Sequence, residues 1–133
     1  KTKCIGCGEC VLSCAKNVFK LPWNDSVKDI QEKIVEFCYG VLQNKKSFSV
    51  NFLNHITKFC DCYTTKGKVL MDDIGIMAGS DPVAVDKASV DMVNKYFGKD
   101  FCKHIFPEID YNVQFKYAAK LGIGSTDYEL VEY

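Results

Sequence analysis

Cys4-Ile5-Gly6-Cys7-Gly8-Glu9-Cys10-Val11-Leu12-Ser13-Cys14 spaces four thiols as C-x2-C-x2-C-x3-C, and no other stretch of the chain restricts its fold as tightly. This is the spacing of the bacterial ferredoxin run, which holds a cubane 4Fe-4S cluster. Two intervening residues let the backbone curl so that successive thiolates meet different irons, while Gly6 and Gly8 allow it close to the sulfides and into positive φ. Cys4, Cys7 and Cys10 supply three ligands from one loop.

The fourth ligand has to be found elsewhere, because in two-cluster ferredoxins the last cysteine of each run serves the other cluster, and only one run is present. Cys14 lies four residues beyond Cys10, about one helical turn or ~6 Å away. Cys60-Asp61-Cys62 is the best remote donor, since an extended C-x-C aims both thiols to one side. Cys14, Cys60 and Cys62 therefore stand as alternatives for the fourth corner, and together with one more ligand they could form a second cluster. Ala15 occupies the position where ferredoxin runs carry proline. Eight cysteines also permit a disulfide framework, but no secretory segment is visible and the chain is long enough to build a core without staples. Structural zinc would favour paired C-x2-C knuckles, a pattern that one such run answered by a single C-x-C does not match.

Composition bounds the class. Apolar residues make up 47% and charged residues 26% of 133 positions, as in an ordinary folded domain. Lys+Arg and Asp+Glu are 17 each, so no global basic field gathers nucleic acid or anionic lipid. No apolar run approaches the ~20 residues of a membrane helix. These features lead us to expect a cytoplasmic protein that binds neither nucleic acid nor membrane, and whose partner is an unidentified redox protein. The chain opens on Lys1 and reaches the cysteine run almost at once, which suggests part of a longer polypeptide.

The expected organisation is a ferredoxin-like motif over residues 1–22 followed by an α/β domain over 23–133, with a mixed sheet and flanking helices. Val18-Phe19-Lys20-Leu21 reads as a short strand ending at Pro22, and Trp23 as a core or hinge anchor. Asp25 or Ser26 caps a helix reaching about Gly40, whose apolar positions Val27, Ile30, Ile34, Phe37, Cys38 and Val41 predict one face packed on a sheet, with Cys38 buried as a small hydrophobe. Phe48, Val50 and Phe52 alternate as a strand within 47–57 that includes His55 and delivers Cys60 and Cys62 at its far end. Val69 to Met77 is a second apolar segment. Asp81 and Pro82 start a helix that stops at Gly98.

A short helix is expected within 101–106, and Asp110 begins another that ends at Gly122. Residues 128–133 alternate as a last strand. Cys102 and His104 form an isolated C-x-H pair that reads as structural. Asp73, Asp81 and Asp86 are carboxylates that could act together on a metal or a proton, although Asp81 as a cap and Asp86 as an early-helix charge account equally for that spacing.

The chain resembles the iron-sulfur proteins of the domain of unknown function 362 family. The resemblance rests on the Cys4–Cys10 run, Cys60-Asp61-Cys62-Tyr63, Asp73-Ile74-Gly75-Ile76, Ser80-Asp81-Pro82-Val83-Ala84-Val85-Asp86, and Gly122-Ile123-Gly124-Ser125 with Tyr128-Glu129-Leu130. It implies cluster binding and an α/β fold, and it implies no reaction. Three functions follow as expectations: electron transfer through a 4Fe-4S cluster held by Cys4, Cys7 and Cys10 with Cys14, Cys60 or Cys62; an enzyme domain using the cluster or Asp73, Asp81 and Asp86; and a structural zinc module.

Overall fold

A computed structural model describes residues 13–16, 18, 26–59 and 67–132. Helix α1, Val27–Leu42, begins where the sequence predicts. Ser26 Oγ accepts from Asp29 N–H at 3.2 Å while Asp29 Oδ2 accepts from Ser26 N–H at 3.0 Å, a reciprocal capping box. Strands β1, Ser49–Leu53, and β2, Gly75–Gly79, form a two-stranded antiparallel ribbon with Asn51 opposite Met77 and Phe52 opposite Ile76. Helix α2, Pro82–Phe97, covers one face of that ribbon, followed by α3, Phe101–Ile105, and α4, Asn112–Leu121. The fold is mixed α and β, with this one sheet and four helices among the described residues.

Alternation along the strands sorts the ribbon into two faces. Asn51 and Leu53 turn toward α2, and Leu53 is buried. Gly79 is what lets α2 come so close, since a Cβ there would lie 2.9 Å from Val85 Cγ2. Asn51 Nδ2 donates to Asp86 Oδ1 at 2.7 Å and to Ser89 Oγ at 3.0 Å, so the one buried polar side chain among the described residues, Ser89, is satisfied from the strand as well as through Val85 O. The core gathers Val35 of α1, Val83 of α2, and Phe115 and Ala118 of α4, with Tyr111, Leu121 and Ile123 packed around them.

Several sequence expectations are corrected here. Among the described residues, the stripe Val27, Ile30, Ile34, Phe37, Cys38 and Val41 meets no sheet. Of the described elements, α1 packs chiefly on α4; Val35 is 6% exposed, whereas Phe37 is 79% exposed and Cys38 is exposed rather than buried. Periodicity identifies residues that share a face but not the surface they meet. The second apolar segment is a continuous strand only from Gly75 onward, with Val69 making an isolated bridge before Asp72 and Asp73 interrupt it. His55 stands just beyond β1 at φ 51°, not in the strand. Residues 127–132 form no strand, although Tyr128 and Leu130 lie beside β2. The expected strand at 18–21 and Trp23 lie, apart from Val18, outside the described residues.

Candidate functional site

The ribbon does not end at Leu53. Ile74 N–H donates to Leu53 O and Leu70 N–H to Ile56 O, each at 2.8 Å, and Thr57 bridges Val69 in antiparallel register. The chain thus enters the C-x-C segment at Phe59 and leaves it at Gly67 through a pinned neck. Gly67 is required for that closeness, since a Cβ there would lie 3.0 Å from Thr57 Cβ. Thr57 Oγ1 donates to Phe59 O at 2.7 Å. The Phe59 ring packs against Phe106 with centroids 6.2 Å apart, and Lys58 Nζ lies 5.2 Å and 5.7 Å over the two rings. The residue immediately before Cys60 is therefore fixed to the corner where α3 ends.

Of the six candidate thiols, Cys14 is described and is half-buried. Cys4, Cys7, Cys10, Cys60 and Cys62 lie outside the described residues. Among the described residues no group of three His, Cys, Asp or Glu side chains is placed to hold a metal ion. Cys102 and His104 remain apart from such chemistry: burial, and secondarily the Asp100 charge, pushes the Cys102 thiol up, and the His104 ring stacks 5.4 Å from Phe97.

The three carboxylates are not assembled into one site. Asp73 and Asp81 flank opposite ends of β2. Asp73 Oδ1 accepts from His55 N–H at 2.9 Å and so closes the hairpin. Asp81 Oδ1 accepts from Val83 and Ala84 N–H at 2.9 and 3.1 Å, capping α2, while its Oδ2 accepts from Ser125 N–H at 2.8 Å. Gly124 makes that second bond possible, because a Cβ there would collide with the Asp81 carboxylate. Asp86 takes its bond from Asn51 and lines a cavity of about 90 Å³ between α1, α2 and α4.

Sequence reasoning singled out Asp81 as a cap but missed the neck contacts of Lys58 and Phe106 and the Asp81–Ser125 latch. Gly67 and Gly124, each beside a turn, were the available signals. No helix among the described residues is long and apolar enough to cross a membrane.

A family model described as Domain of unknown function (DUF362) matches residues 5–91, about two thirds of the chain. That stretch takes in the cysteines from Cys7 to Cys14, the hairpin with its C-x-C, and Asp73, Asp81 and Asp86; Gly122–Ser125 and Tyr128 fall beyond it. No curated protein and no solved structure matches the chain. On the family match, the chain is a member of the DUF362 family.

Proposed function

We propose that the protein binds one 4Fe-4S cluster and passes single electrons through it. The observation that carries this reading is the C-x2-C-x2-C-x3-C run, whose thiol-only donor set suits iron-sulfur ligation. Cys4, Cys7 and Cys10 would hold three irons, and Cys14, Cys60 or Cys62 the fourth. The cluster supplies a one-electron couple when bound. The rest of the chain orients and shields: the pinned neck at Thr57 and Val69 fixes both ends of the C-x-C segment, and Phe59 on Phe106 provides apolar cover beside it. Burial of this kind is one of the means by which a protein tunes a cluster's potential.

The carboxylate reading has less support. Asp73 and Asp81 are engaged at opposite ends of β2, each by backbone donors. Single Cys→Ser variants at positions 7, 14, 60 and 62, prepared without oxygen, test the assignment. Cys7→Ser should abolish the cluster's visible absorbance, and one of the other three should do the same, which identifies the fourth ligand. Retention of full absorbance in Cys7→Ser would refute the ligand set, and global unfolding with loss of bound zinc would favour the structural-metal alternative.

A further inference from the structure

We infer that the neck of the C-x-C hairpin and the adjoining α2–α3 corner form the docking surface for an acidic, one-electron carrier protein. This deepens the electron-transfer reading and rests on it. Thr57 pairs with Val69, and this register sets Lys58 opposite Lys68 across the neck. Both are exposed, and both stand within two residues of the segment that carries Cys60 and Cys62. Lys58 spreads over Phe59 and Phe106, at the end of α3. Lys103 is exposed on α3 itself, and Lys99, exposed in the turn before it, lies 5.5 Å over the Phe97 ring. Two ammonium groups thus lie over aromatic rings on either side of α3, Lys58 over Phe59 and Phe106 and Lys99 over Phe97, with Lys103 exposed on the helix between them and Lys68 across the neck.

None of the four has a carboxylate within ion-pair distance among the described residues, whereas Lys28 and Lys87 do. The acidic neighbours include Asp72 and Asp73 on the neck, both exposed, of which Asp73 is engaged by His55 N–H. Asp100 caps α3 at Lys103 N–H and accepts from Tyr111 Oη. Asp110 accepts from Asn112 N–H, and Lys103 adds to the pull that holds its carboxyl low. Glu108 is exposed nearby.

The whole chain is neutral, with 17 charges of each sign, so a concentration of positive charge here is matched by negative charge elsewhere. A local excess of positive charge draws an acidic partner to this face even where the net charge is zero. Aromatic rings beneath the lysines supply the apolar centre of a small, transient interface, with charge forming its rim. An acidic carrier would be drawn to the face from which the chain enters and leaves the C-x-C segment.

Anaerobic stopped-flow kinetics on the whole chain test this, with a photoreduced acidic flavodoxin as the probe carrier and dithionite as the small reductant. Carrier-driven reduction should slow steeply as salt is raised. Reversing charge in Lys58→Glu/Lys103→Glu should slow it ~10-fold or more at low salt while leaving dithionite reduction unchanged. Lys58→Gln/Lys103→Gln, which keeps most of the packing, should show a smaller loss in the same direction. Lys46→Glu, near Ser80 and Pro82 at the opposite end of the ribbon, should behave as the parent.

If dithionite reduces a cluster but carrier rates ignore both salt and the lysine variants, the docking surface is wrong and the electron-transfer reading survives. If no cluster is present to reduce, both fall. Equal loss of binding to a single-stranded oligonucleotide in the same variants, with no effect on the carrier, would mark the patch as a nucleic-acid site and overturn the proposal.

Discussion

Asp81 shows how much one side chain can organise. Its carboxylate satisfies two orphan donors at the start of α2 and reaches the backbone of Ser125, 44 residues later in sequence. Asp81→Ala should cost about 2 kcal/mol by denaturant unfolding, the cap plus a lost part-buried hydrogen bond. Gly124→Ala should destabilise the same latch from the other side, because its methyl would occupy the carboxylate's place; an unchanged midpoint in both variants would show that the latch carries no stability.

Thiol chemistry separates the described cysteines as well. Cys38 is exposed on α1, whereas burial and then Asp100 raise the Cys102 thiol above its usual value and keep it protonated. Iodoacetamide at pH 8, followed by peptide mass spectrometry, should modify Cys38 well before Cys102. The reverse order would contradict the packing of α3.

Elements were legible in the sequence wherever their signals are local. Ser26, Asp81 with Pro82, Gly98 and Gly122 each mark a helix boundary with their own side chain or lack of one, and each does so in the structure. The orientation of α1 was not legible, since the residue of this helix that is buried is Val35, which the predicted stripe leaves out. The tail misled for a related reason: alternation over 128–132 suits a strand, but strand pairing also needs a partner edge in register, and Tyr128 instead donates to Asp91 Oδ2 at 2.8 Å.

Burial foremost, and then the bond to Asp91, raises the Tyr128 phenol above 10.0. A raised folded value means that the contribution is intact below pH 10 and is lost as pH climbs through the folded value, because the unfolded tail ionises first. Titration above pH 10 should therefore release residues 127–132 from α2 before the core opens, visible as early loss of amide protection in the tail. Tyr128→Phe should remove that early phase, and an early phase that survives the substitution would sink the assignment.

At the scale of the molecule, the described fold pins the two points at which the chain enters and leaves the C-x-C segment, and Phe59 at the entry packs on Phe106 under Lys58. Sequence spacing alone is what proposes the thiols as ligands, because ligand chemistry fixes spacing. The neck could not be read that way: Phe59 and Phe106 are 47 residues apart, and nothing in either local pattern announces that they stack.

Iron and acid-labile sulfide should be counted per chain after purification without oxygen, with the spin resonance spectrum recorded on reduction. A 4Fe-4S protein should give about four of each and the signal of a reduced cubane. One zinc per chain with no sulfide would contradict the proposed cluster.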